Sequence, residues 1–356
     1  MSVDLKYCCS SFLTIRTIYD DSKCFSNEYP PLLIPINKDR NPVADSFELE
    51  AILKKYTEEA FKNHKVALCL SGGIDSAILA RFVPKGSTCY TFKCIVPGVE
   101  VTNEVPQASI YAKECGLNQK VIEIYWEDFE KYTPILMKHK GAPIHSIEVQ
   151  IYKAALQAKK DGFDALLFGE TADVNFGGFD GLLSKDWSVD DFKKRFTNVE
   201  PSIVLKEYVD IREPFEKYAV NGIEDVHEFV RHVFYRESTN SYTNACSTAG
   251  IEFISPYTKA YMSVPLDLNR VRNGENKYLV REIFHRLYPH LDVPKKIPMP
   301  RATNEWFKNW KCEPQELFRD DIDYSKLSGD QKWLIYALNE FLKIINKGHH
   351  WCPLFF

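Results

Sequence analysis

Residues 65–76 read KVALCLSGGIDS, an apolar run ending in Ser71, Gly72 and Gly73, with Asp75 following between small residues. Adjacent glycines let the backbone turn tightly and approach a ligand with no Cβ in the way. The Ser71 and Ser76 hydroxyls add donors, and a helix beginning near Ser76 aims its free N–H groups and positive dipole end into the turn. Together these make an anion cradle suited to phosphate. Asp75 repels a bare phosphate and makes sense where a divalent cation bridges it to the phosphates. The stretch is neither Gly-x-x-x-x-Gly-Lys-Ser/Thr nor Gly-x-Gly-x-x-Gly, so the usual P-loop and dinucleotide readings fail. The bland alternative is a glycine turn with a solvated aspartate. A second segment, GETADVNFGGFDG at 169–181, carries Glu170 and Asp173 beside Gly169.

Such residues need a frame. KVALCL suits a strand buried on both faces. Before it, DSFELEAILKKYTEEAFKN opens with Asp45 as an N-cap and Glu48 three residues on. Phe47, Leu49, Ile52, Leu53, Tyr56 and Ala60 form an apolar stripe at helical spacing. After it come a helix at 76–83, the strand TCYTFKCIV, a helix ended by Gly116, the strand KVIEIYW, a helix from Ser146 stopped by Gly162, and the strand FDALLFG. This alternation predicts an α/β fold with a parallel sheet sandwiched by helices. Ligands of such sheets bind at the carboxyl ends of the strands, where both candidate segments lie. Residues 1–44 read as a small strand-and-loop segment, 45–184 as the α/β domain, and 185–356 as a mostly helical region.

Composition limits the function classes. The 356 residues carry a net charge of −4, with 45% hydrophobic and 26% charged residues, as in an ordinary soluble enzyme. No long Lys/Arg run is present, so no nucleic-acid partner is expected. MSVDLKYCCSSF has no signal pattern and no stretch approaches a membrane span, so a cytoplasmic protein without membrane attachment is expected. None of the ten cysteines forms a Cys-x-x-Cys pair, which argues against a structural zinc site and for reduced, buried thiols. The terminal HHWCPLFF reads as a docked apolar tail rather than a metal site.

SGGIDS resembles the pyrophosphate loop of the ATP pyrophosphatases (PP-loop enzymes), which cleave ATP between its α and β phosphates. GETADVNFGGFDG is similar to the asparagine synthetase segment G-E-G/A-A/S-D-E-x-F-G-G-Y, matching at Gly169, Glu170, Asp173, Phe176, Gly177 and Gly178, with Phe179 in place of Tyr. TNACSTAGIEFISPYTKAYM resembles that family's N-M-A-x-x-x-E-A-R-x-P-F-L-D at Asn244, Ala245, Glu252 and Pro256. NKYLVREIF, at 276–284, is similar to K-Y-L-L-R-x-A-F, and VPKKIPMP to R-K-K-x-G-F-P-V-P. The resemblance runs in colinear order from about residue 45 to 310.

The resemblance implies a Rossmann-like PP-loop fold and an ATP-dependent ligase. A carboxylate attacks the α-phosphorus of ATP to give an acyl-adenylate and pyrophosphate, and ammonia or an amine then displaces AMP. Pyrophosphate departure needs cations and fixed donors. By the same resemblance Leu70, Ser71, Gly72, Gly73, Ser76 and Gly169 hold ATP and its pyrophosphate, and Asp75 and Asp173 hold Mg2+. Adenine lies against backbone near Phe92–Ile95, Cys94 included. Glu170 handles the incoming nucleophile, and Lys295 or Lys296 faces the α-phosphate. Glu252 is either catalytic or a helix anchor. His145, between Pro143 and the helix start at Ser146, is a candidate substrate contact.

The departures shape the expected partners. Residue 2 is Ser and only about 60 residues precede the loop, which leaves no room for the family's N-terminal glutaminase domain. Ammonia then comes from solution or from a separate glutaminase subunit, or an amine replaces it; oligomers are compatible with either. Asp173-Val174-Asn175 stands where the family has Asp-Glu-x, and Phe253 replaces an arginine, so aspartate is not the expected acid. The alternatives are a PP-loop enzyme acting on sulfur or tRNA, another adenylating enzyme, and a non-catalytic ATP-binding module. The first wants paired cysteines and a basic face, and neither is evident.

Overall fold

The computed structural model describes residues 1–35, 39–295, 297, 299–313 and 315–348. Five strands, Val66–Cys69 (β1), Thr88–Cys94 (β2), Asn118–Ile124 (β3), Ala165–Leu167 (β4) and Glu252–Ile254 (β5), pair in parallel in the order β5-β4-β1-β2-β3. From central β1 the chain first builds outward through β2 and β3, then returns to β1's other side with β4. The crevice between β1 and β4 is therefore the topological switch point, where parallel sheets bind ligands. Every side chain of β1 and β4 is buried, as strands covered on both faces require.

Strand alternation divides the core into two layers. Ala67, Cys69, Leu166 and Phe168 point to one side, and Val66, Leu68, Ala165 and Leu167 to the other. The first layer is covered by Leu5–Ile15 (α1), Trp126–Lys140 (α5), Ser146–Lys160 (α6), Tyr235–Ala249 (α8) and Gly329–Gly348 (α10). The second is covered by Ser46–Asn63 (α2), Ile74–Ala80 (α3), Val105–Cys115 (α4) and Tyr278–Leu287 (α9). A short helix, Ala172–Asn175 (α7), follows β4.

Asp45 caps α2 as its position predicts, accepting the Phe47 and Glu48 N–H groups, and Glu48 returns a bond to Ala44. Three features differ from the sequence expectation. Residues 5–15 are helical rather than strand-and-loop: Asp4 accepts the Tyr7 N–H at 3.0 Å, and the helix buries Cys8, Cys9, Phe12 and Leu13. Their spacing is helical, whereas FLTIRTIY taken alone suggests a strand. Helix α5 fills 126–140, a stretch the alternation passes over. The region after 185 contributes β5, which covers the free edge of β4. Among the described residues no helix is long and apolar enough to cross a membrane.

Candidate functional site

The carboxyl ends of β1 and β4 open into a cavity of about 440 Å3 lined by residues 69–76, by Phe168–Thr171 and by Asp173. After Leu70 the chain turns, and the Ser71 N–H donates to Ser76 Oγ at 3.0 Å while the two hydroxyls lie 2.9 Å apart. Gly73 donates its N–H to Ser71 Oγ at 3.2 Å and stands at the N-cap of α3, with no side-chain cap closing the helix end. The N–H groups of the first turn are thus left for a ligand. Gly169 is required by contact: a Cβ there would come within 2.7 Å of the Ser76 nitrogen. Gly178 makes the same allowance for Asp173, whose Oδ1 a Cβ would meet at 2.0 Å.

Asp75, in the first turn of α3, and Asp173, in the first turn of α7, are brought together by a residue to which sequence reasoning assigned no role. Lys277 Nζ donates to Asp75 Oδ1 and Oδ2 at 2.9 and 2.7 Å and lies 3.0 Å from Asp173 Oδ1, with its side chain 8% exposed. Burial opposes the ammonium charge, but the two carboxylates outweigh it and raise its pKa far above the usual lysine range. Lys277 caps α9 in the left-handed region, φ 51°, with its N–H directed at the Gly177 carbonyl. The one available signal was its place at the head of NKYLVREIF.

Glu170 follows Gly169 into the cavity. Ser238 Oγ of α8 donates to its Oε1 at 2.6 Å, and the Tyr242 hydroxyl bonds the same carboxylate. Burial pushes the Glu170 pKa up, and these donors pull partly against it. The next residue, Thr171, sits at φ 69° although it is β-branched, a costly conformation at the junction of Glu170 and α7. Tyr242 packs edge-on against Phe168 at 5.0 Å, and Phe253 contacts both rings.

On the other wall stands Glu104, a residue absent from the sequence-based site. It is 7% exposed, burial pushes its pKa up to about 7, and the Gly72 N–H it accepts pulls the other way. Its position, immediately before α4 and after β2, is again a strand's carboxyl end. Tyr90 and Phe92 line the cavity beside it, and Lys295 stands exposed at the rim.

The remaining expected residues fall elsewhere. Cys94 is absent from the cavity lining, and its thiol donates to the Pro300 carbonyl at 3.4 Å. Glu252 opens β5 opposite Ala165, the first residue of β4, at the sheet end remote from the cavity. There it is solvent-exposed and faces His64 at 3.6 Å. It is absent from the cavity lining, because the strand it begins reaches the ligand edge with its other end. His145 is absent from the cavity lining and is enclosed by Arg16 and Arg301, 3.3 and 3.4 Å from its Nε2, and by Glu237. Lys296 and the HHWCPLFF tail lie outside the described residues.

Known structures overlap this fold at low similarity. A U34-tRNA thiolase from Methanococcus maripaludis with its [4Fe-4S] cluster is 16% identical with a TM-score of 0.30, over 70% of this chain and 82% of that one. An NH3-dependent NAD synthetase from Campylobacter jejuni is 13% identical with a TM-score of 0.28, over 56% and 96%. An NMN synthetase from Francisella tularensis is 11% identical with a TM-score of 0.29, over 72% and 100%. In sequence, a putative glutamine-hydrolyzing asparagine synthetase from Methanocaldococcus jannaschii is 28% identical over 138 residues, which span 35% of this chain but only a quarter of that relative. Residues 49–337, most of the chain and all of the cavity's lining, match the family model described as asparagine synthase, and the chain belongs to that family.

Proposed function

We propose that this protein is an ATP-dependent amide-forming ligase that adenylates a carboxylic acid and transfers the acyl group to ammonia or an amine. The observation that carries this reading is the meeting of Asp75 and Asp173, from the first turns of the helices after two adjacent strands, around one cation beside the glycine turn. Two carboxylates this close together fit a divalent cation as well as an ammonium. Bound there, Mg2+ would neutralise charge on the departing pyrophosphate.

The chain's own groups divide the work. Ser71, Gly72, Gly73 and Ser76 hold the pyrophosphate, with Leu70 and Gly169 behind them, and Lys277 adds positive charge beside it. Tyr90 and Phe92 form the adenine wall. The substrate carboxylate oxygen attacks the α-phosphorus as the bond to the β-phosphate bridging oxygen breaks. The amine nitrogen then attacks the acyl carbon, the bond to AMP breaks, and Glu170 receives the amine proton. Lys295, exposed at the rim, would meet the α-phosphate. Helices α8 and α9 supply Ser238, Tyr242 and Lys277, which supports assigning the acyl side of the site to the region beyond residue 185. Ammonia from solution or a separate glutaminase subunit would serve as nitrogen source.

The test is mass spectrometry of products after incubation with Mg-ATP, ammonium and pooled cell metabolites. AMP, pyrophosphate and one metabolite gaining an amide are expected. ADP with phosphate would overturn the mechanism.

A further inference from the structure

A second cleft, of about 270 Å3, shares no lining residue with the nucleotide cavity. Its floor is a hairpin, Ala219–Val220 against Ile223–Glu224, closed by Asn221 and Gly222 in left-handed conformation. Val220, Ile223, Val226 and Leu268 make the lining apolar, and Val220 and Ile223 are 66% and 45% exposed at its rim. Into this apolar cleft the hairpin brings Glu224, 5% exposed, with no hydrogen-bond partner on either carboxyl oxygen. His227, three residues on in the following helix, also lines the cleft and has a buried Nε2 without a partner, while its ring lies against the Asn175 backbone of α7.

Buried polar groups without partners are rare and ask for an explanation. The charged neighbours do not supply one. Arg272 is committed to Asp186 at 2.6 Å and to the Leu183 carbonyl, and Lys185 lies over the Trp187 ring at 4.2 Å. Asp225 accepts the Glu228 N–H as a helix cap and faces Glu224 with like charge. Burial and Asp225 push the Glu224 pKa up to about 8, so the isolated carboxyl is mostly protonated at neutral pH. Among the described residues no group of three or more His, Cys, Asp or Glu side chains could hold a metal ion. What the cleft lacks is a donor with several N–H groups and an apolar body.

We propose that this cleft binds a primary organic ammonium ion, its N–H groups bonded to the Glu224 carboxylate and its apolar part against Val220, Ile223, Val226 and Leu268. Binding requires Glu224 to give up its proton, because only the carboxylate pairs with the ammonium. The site is separate from the adenylating cavity and stands or falls independently of the proposed ligase activity.

The probe is benzylamine, titrated calorimetrically into the full chain at pH 7 in two amine-free buffers of different ionisation enthalpy. Saturable binding with release of about one proton per benzylamine is expected. Benzyl alcohol, of the same shape but uncharged, and the Glu224→Gln variant with benzylamine should each bind at least about tenfold more weakly. The proton count is read on the unaltered protein and does not depend on how the variant folds. Absence of saturation by roughly 10 mM, binding without proton release, or affinity unchanged in a folded Glu224→Gln protein would each overturn the proposal.

Discussion

Lys277 lets Asp75 and Asp173 face each other without a metal. Replacing it by Met leaves two half-buried like charges together, which costs on the order of 1–3 kcal/mol. Denaturant unfolding of Lys277→Met should show that loss without Mg2+ and partial recovery with it; a loss insensitive to Mg2+ would contradict cation binding at this position. Glu104 gives a pH signature. Its pKa in the folded protein, about 7, lies above its ordinary value of 4.5, so the native state retains a proton that the unfolded chain releases. The Glu104 contribution to stability should therefore fall as pH rises from about 4.5 to 7, by roughly 3 kcal/mol, and level off above. Glu104→Gln should remove that part of the pH dependence of the unfolding free energy, and an unchanged slope would refute the assignment. Asp75 and Asp173 were legible in the sequence because each sits inside a dense local motif. Lys277 and Glu104 were not, because a single lysine at a helix head and a single glutamate before a helix carry no local pattern. Lys277 meets Asp75 across 202 positions. For Glu252 the motif left a catalytic and an anchoring role open, and only the strand's direction reveals which end reaches the cavity.

Between β1 and β4 the elements approach so closely that one glycine decides whether the cradle forms. A methyl at Gly169 would lie 2.7 Å from the Ser76 nitrogen and 2.9 Å from the Asp75 carbonyl carbon, both backbone atoms that cannot swing aside. Gly169→Ala should weaken Mg-ATP binding by more than about tenfold, measured by titration calorimetry, with the circular dichroism spectrum retained. Near-normal affinity would place the nucleotide elsewhere. Strands β1 to β4 and most of the helices around them were legible because buried parallel strands and amphipathic helices have distinct periods. Helix α1 was not, since its apolar face points wholly inward and reads locally like a strand. Strand β5 was missed because three residues on a sheet edge carry too little pattern, and it is placed only by its pairing with β4.

Across the whole molecule the two apolar layers isolate the thiols as composition predicted. All nine described cysteines are free, and eight of them, Cys8, Cys9, Cys24, Cys69, Cys89, Cys94, Cys115 and Cys246, are buried. Burial raises the pKa of Cys69, Cys94 and Cys246, among others, which suppresses the reactive thiolate. Those eight should react with a disulfide reagent only on unfolding, and fast reaction of several in native protein would contradict this packing. The overall arrangement, with a sheet's switch point facing helices from the last third of the chain, brings the nucleotide loop and Glu170 into one cavity. The central claim is that a carboxylate attacks the α-phosphorus there. The most direct test takes the acid identified from its amidated product, labels its carboxylate with oxygen-18, and follows the label by mass spectrometry after turnover. The account predicts AMP carrying one heavy oxygen from the acid. Heavy oxygen in inorganic phosphate, or unlabelled AMP, would contradict it.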